Sequence, residues 1–149
     1  MRIMVLLENK KAKLRFFTVE SYSAGIELTG SEAKSLRQKQ GSLDGARVVV
    51  RGGEAYLIGA TIPPYQVANA GKGYDPERPR KLLLKKEEVA ELADAESKKG
   101  LTIVPFEVYN DRYLKVRVAV VRGKGKADKR EDLKKKDAER EVARILKRK

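Results

Sequence analysis

The sequence of 149 residues contains no cysteine, no histidine and no tryptophan. Without cysteine, disulfides and thiol catalysis are excluded. Without histidine, so are Ser-His-Asp triads and imidazole acid–base chemistry. Lacking both, the chain cannot build the common structural zinc sites. Long apolar runs are missing too. Residues 1–7 read MRIMVLL, with an apolar run of five, too short for a signal-peptide core. No run approaches the roughly 20 apolar residues of a membrane span. These absences predict a soluble cytoplasmic chain. Acidic charge is also short: 21 Asp and Glu face 34 Lys and Arg, for a net +13. That surplus exceeds what solubility needs and seeks a polyanion, nucleic acid first and an anionic membrane second.

The positive charge is unevenly spread. Residues 122–149 hold 13 basic and 6 acidic residues, and the remaining 21 basic and 15 acidic residues lie before them. The final stretch has no aromatic residue and few large apolar ones, so it cannot build its own core. The sequence therefore predicts a folded unit over 1–121 and a basic tail over 122–149, disordered when free.

Within the first unit the pattern is mostly that of strands, at 15–20, 24–28, 47–51, 54–60, 102–109 and 112–121. Gly52-Gly53 between two apolar runs signals a two-residue hairpin, because both residues accept positive φ. Asn110-Asp111 gives a second tight-turn signal. Leu114, Val116, Val118 and Val120 alternate with Lys115, Arg117, Ala119 and Val121, which places the first four on one face. Helices are predicted at 31–40, with Thr29 and Glu32 at capping-box spacing and Gly41 as the stop, and at 85–99. The second carries Val89, Leu92, Ala93 and Glu96 at helical spacing. Between them, 62–80 reads as a long irregular loop rich in Pro and Gly. Mainly β, with about six short strands and two or three helices, the unit suggests a small antiparallel barrel like an oligonucleotide-binding (OB) fold, whose closure removes sheet edges.

Four basic clusters are candidates for phosphate contact: Lys10, Lys11, Lys13 and Arg15, followed by Phe16 and Phe17; Lys34, Arg37 and Lys39; Arg78, Arg80, Lys81, Lys85 and Lys86 around Leu82–Leu84; and Arg122, Lys124, Lys126, Lys129 and Arg130. Aromatics beside cations suit a groove that tracks phosphates and stacks bases. Phe16 and Phe17 are neighbours in a strand, so one is expected in the core and one outside. Tyr65 and Tyr74, in the loop, are surface candidates. Asp75 with Glu77, or Asp128 with Glu131 and Asp132, would be the carboxylates of a metal-dependent nuclease. Such groups commonly balance nearby Lys and Arg, and no metal, cofactor or enzymatic activity is expected.

The run from Ala24 to Arg37, AGIELTGSEAKSLR, resembles the signature of the small protein B (SmpB) family of bacterial transfer-messenger RNA (tmRNA) binding proteins. Asn9-Lys10-Lys11-Ala12, Arg80-Lys81-Leu82-Leu83-Leu84, and Arg122-Gly123-Lys124 with Asp128-Lys129-Arg130 match further family motifs in order. The resemblance implies an OB-like barrel that grips the tRNA-like domain of tmRNA, one protein copy per RNA, and a tail that probes the empty mRNA channel near the decoding centre of a stalled ribosome. It implies RNA contact by Asn9, Lys10, Lys11, Lys13, Phe16, Ser23, Gly25, Lys34, Ser35, Arg37, Arg80 and Lys81. Ribosome contact by the tail would fall to Arg122, Lys124, Lys126, Lys129, Arg130, Arg144, Ile145 and Leu146. Here Ser23 stands where the family often has Glu. The tail lacks the family's aromatic or His at Ala127 and its Trp near Ala138, which shifts the load to charge and to Ile145-Leu146. Residues 126–149 hold neither Gly nor Pro and are rich in helix formers, so the tail is expected to become helical on the ribosome. The alternative is a generic OB-fold ribosomal or translation protein without preference for a tRNA-like fold.

Overall fold

The computed structural model describes residues 3–65 and 73–123. The expected tail, including Lys124, Lys126, Lys129, Arg130, Arg144, Ile145 and Leu146, lies outside the described residues. Among those described, seven strands and three helices run in the order β1 (Met4–Glu8), α1 (Lys10–Arg15), β2 (Phe16–Ile26), α2 (Gly30–Arg37), β3 (Arg47–Arg51), β4 (Glu54–Ile58), β5 (Arg80–Leu83), α3 (Lys86–Ser97), β6 (Leu101–Asp111) and β7 (Tyr113–Gly123). All strand pairs are antiparallel, in the sheet order β1-β6-β7-β2-β5-β4-β3.

The sheet curls around one core that takes side chains from every strand and from α2 and α3. It does not close. β1 and β3 remain edges, so the expected barrel is an open one, and α3 packs against β3 and β6 instead of a closing strand pair. Alternation in β7 behaves as its sequence predicts: Leu114, Val116, Val118 and Val120 all point into the core. The opposite face turns apolar at Ala119 and Val121 for a reason the sequence hides. There the short helix α1 covers the sheet, packing Ala12 with Val104, Phe106, Ala119, Val121 and the half-buried Phe16. Phe17, its neighbour, points outward.

The two turns differ from each other. Arg51 pairs with Glu54 across Gly52 and Gly53, at φ 60° and 77°, as the hairpin signal requires. The second hairpin turns at Arg112 rather than at Asn110-Asp111. Asp111 pairs with Tyr113 and Asn110 with Leu114, leaving Arg112 alone in the turn at φ 55°. The first two predicted strands merge into the single β2, bulged between Thr18 and Glu20.

α2 starts with the expected capping box. Thr29 accepts the Glu32 amide at 3.2 Å and Glu32 accepts the Thr29 amide at 2.9 Å. It ends at Arg37, before the predicted 40. Lys39 takes a left-handed conformation (φ 61°), its amide bonds the Leu36 carbonyl, and the Gln40 amide reaches Ser35. This is a Schellman end formed without glycine. In α3 the buried residues are Leu92 and Ala95, with Ala93 exposed.

Candidate nucleic-acid interface

Three paired strands meet at the centre of the site. Gly25 of β2 pairs with Leu83 of β5 on one side and with Lys115 of β7 on the other. A Cβ at position 25 would sit 3.2 Å from the Leu83 Cβ, so a side chain there would crowd Leu83. The glycine forms the floor of an open groove of about 630 Å3, lined by Ser23, Lys81, Leu83, Lys85, Lys86 and Lys115. A second concavity of about 370 Å3 shares Gly25, Leu83 and Lys115 and adds Leu28, Ala33, Arg37 and Tyr113. Two large apolar side chains stand in it against water: Leu83 is 50% exposed and Tyr113 68%.

The cations around this surface are available. Arg37, Lys85, Lys86 and Lys115 have no acidic partner among the described residues. Lys81 pairs with Glu54 at 2.9 Å, which raises the lysine pKa and lowers that of the carboxylate. Lys34 lies 5.6 Å from the centroid of the Tyr65 ring, within cation–π range. Ser23 is exposed, and its hydroxyl bonds that of Tyr109. Apolar surface rimmed by cations, most of them without a carboxylate partner, suits bases against the floor and phosphates at the rim.

Three of the residues expected at the RNA surface have buried side chains. Arg80 is 0% exposed. It binds the equally buried Glu32 through Nε at 3.0 Å and Nη2 at 2.7 Å, and donates to the carbonyls of Ala60 and Pro76. The cause is strand alternation, which puts Arg80 and Leu82 inside and Lys81 and Leu83 outside. Asn9, 2% exposed, caps α1 by accepting the Ala12 amide and donates to the carbonyls of Leu43 and Pro105. Ser35 is buried and donates to the Pro63 carbonyl at 2.7 Å. These three side chains hold the elements that carry the surface residues. Tyr74, expected outside, is half-buried and donates to the Ile62 carbonyl at 2.6 Å. Asp75 accepts the Glu77 amide at 2.9 Å within a turn.

Nor do the basic clusters share one groove. Lys10, Lys11, Lys13 and Phe16 lie where Phe16 pairs with Gly123, and the groove lies where Gly25 pairs with Lys115. About 30 Å of strand separates the two ends. Lys13 is drawn to Glu8 and Glu107, each at 3.4 Å, and Lys11 to Asp44 at 3.7 Å. Arg122, at the α1 end, stands 5.9 Å over the Phe17 ring. Tyr113 and Leu83 carry no charge and gave no sequence signal of their own. Lys115 did, as a basic residue on the outward face of β7.

An open antiparallel sheet with a cation-rimmed apolar groove at one end defines a nucleic-acid-binding β protein. The chain belongs to the SmpB family: the family model described as SmpB protein matches residues 6–148. An SsrA-binding protein of Novosphingobium aromaticivorans is 43% identical over 145 residues, covering 96% of this chain and 90% of the relative. One from Thermosipho africanus is 43% identical, covering 97% of both. A solved chain from a structure described as "tmRNA-SmpB: a journey to the center of the bacterial ribosome" is 40% identical. It superposes with a TM-score of 0.67, covering 85% of this chain and 93% of that one.

Proposed function

We propose that this protein binds the tRNA-like domain of tmRNA, the SsrA RNA, and carries it to stalled bacterial ribosomes in the cytoplasm as a rescue factor. The observation that carries this reading is the groove around Gly25, where Arg37, Lys81, Lys85, Lys86 and Lys115 surround exposed Leu83 and Tyr113. Relatives alike over nearly the whole chain are named for SsrA binding. The protein acts by binding: the cations neutralise phosphates, the apolar floor receives unstacked bases, and no bond is made or broken. The basic tail over 122–149, with more than half of the net charge, takes the ribosomal part of the task, by entering the mRNA channel and becoming helical there. Arg144, Ile145 and Leu146 form its distal contact.

Co-purification from cells followed by sequencing of the bound RNA tests this. Enrichment of tmRNA over tRNA and ribosomal RNA is expected. Ribosomal RNA without tmRNA would instead indicate a generic translation protein. Deleting residues 129–149 should abolish peptide tagging on stalled ribosomes while tmRNA affinity stays near normal.

A further inference from the structure

The largest buried charged group in the described residues is not at the RNA surface but just behind it. Glu32 receives two guanidinium groups, that of Arg80 at 2.7 and 3.0 Å and that of Arg78 through Nε at 3.1 Å and a second, closer contact. Arg80 uses two further donors on the carbonyls of Ala60 and Pro76. No buried side-chain polar atom among the described residues lacks a partner. A fully buried ion pair of this kind is weak as a source of stability, because apolar residues of the same shape often do as well or better. What it fixes is geometry. Glu32 sits in the first turn of α2, whose outward side chains include Lys34 and Arg37. Arg80 opens β5, whose outward side chains are Lys81 and Leu83.

The two elements wall adjoining parts of the same surface. Arg37 of α2 and Leu83 of β5 line one concavity, and Thr29, the N-cap of α2, and Lys81 of β5 line an adjoining one of about 480 Å3. α2 has only eight residues, so its place depends on what its buried side chains hold. We infer that Glu32 and Arg80 are positioning residues for RNA recognition, a buried crosslink that sets the spacing between the α2 and β5 walls of the groove without touching RNA. The inference rests on the proposed RNA-binding function. Holding both walls in place beforehand spares the complex the cost of ordering them on binding.

The test uses the full chain and a transcript of the tRNA-like domain of SsrA RNA, with affinity measured by fluorescence anisotropy at 10 °C across a series of salt concentrations. Glu32→Gln keeps the shape and removes the charge. Ile103→Ala, in the core and away from the groove, destabilises without touching either wall. The expected result is a loss of tenfold or more in affinity per folded molecule for Glu32→Gln, with a shallower salt dependence because fewer phosphates are reached together. Ile103→Ala should stay within twofold with the wild-type slope. If Glu32→Gln does not fold, Arg80→Lys, which keeps the charge and loses the two-pronged contact, should weaken binding at least threefold with the same flattening. Affinity and slope unchanged in the folded variant, or an equal loss in Ile103→Ala, overturns the inference. Failure of the wild-type protein to bind the transcript at all overturns the functional reading, and this inference with it.

Discussion

β7 and β5 treat polarity in opposite ways. Along β7 the apolar residues from Leu114 to Val120 face the core, while Lys115 and Arg117 face outward. Along β5 the most polar side chain, Arg80, is fully buried, and an apolar one, Leu83, is half in water. Both strands follow the same period of two, so the difference lies in what each face meets. The inward face of β7 meets only core. The inward face of β5 begins beside the carboxylate of Glu32, which gives Arg80 a partner that compensates for lost hydration. The outward face of β5 joins a groove in which exposed apolar surface is useful. Burial follows hydropathy where a strand serves the core alone, and departs from it where the strand ties and shapes a binding surface.

The largest effects should come from breaking the buried tie. Removing one partner leaves an unpaired buried charge, so Glu32→Ala should destabilise the fold by about 3–5 kcal/mol in urea denaturation. Burial alone would raise the Glu32 pKa. The hydrogen bonds from Arg78, the Thr29 amide and Arg80 outweigh that and hold it at about 2, below the usual 4.5. A depressed carboxylate contributes stability that is fully present above the unfolded-state value and is lost as pH falls through the folded one. Its share of stability should therefore persist above pH 5 and fade between about pH 4.5 and 2. In a denaturation series over pH, the gap between wild type and Glu32→Gln should narrow over that window.

Two adjacent leucines sharpen the comparison. Leu82→Ala should cost about 2–5 kcal/mol, since that side chain is buried in the core. Leu83→Ala should cost under about 1 kcal/mol and instead weaken RNA binding, read by gel shift at fixed salt. A smaller effect is expected at Lys115, where neutralisation to Gln should leave the melting temperature nearly unchanged and reduce the salt slope of RNA binding by about 1. Least of all, Lys39→Gly should stabilise by up to about 1 kcal/mol, because glycine takes the left-handed conformation without a Cβ penalty. Thermal unfolding at matched pH checks it.

Much of the fold is legible in the sequence where signals are local. The Gly52-Gly53 hairpin, the Thr29/Glu32 capping box, the two longer helices and the alternation of β7 all depend on residues close in the chain. β1, α1 and β5 are not legible in the same way. They have five, six and four residues, too few for a period to stand out without a turn signal such as the Gly52-Gly53 between β3 and β4, and they are stabilised by distant partners. Asn9, for instance, anchors α1 through carbonyls at positions 43 and 105. The candidate site divides likewise. Lys34, Arg37 and Lys81 are recognisable as surface cations from sequence. The burial of Arg80 depends on Glu32, 48 residues away, and Leu83 emerges beside Gly25, its partner in a distant strand. A basic run and its apolar neighbours can exchange roles when a buried carboxylate lies opposite, and composition does not register that exchange.

The most direct test is a map of backbone amide shifts in the full chain as unlabelled tRNA-like domain of SsrA RNA is added. The largest perturbations should cluster at Gly25, Arg37, Leu83, Tyr113 and Lys115, with smaller ones at Glu32 and Arg80 as the walls of the groove settle. Perturbations confined to other surfaces, with the residues around Gly25 unmoved at saturating RNA, would contradict it.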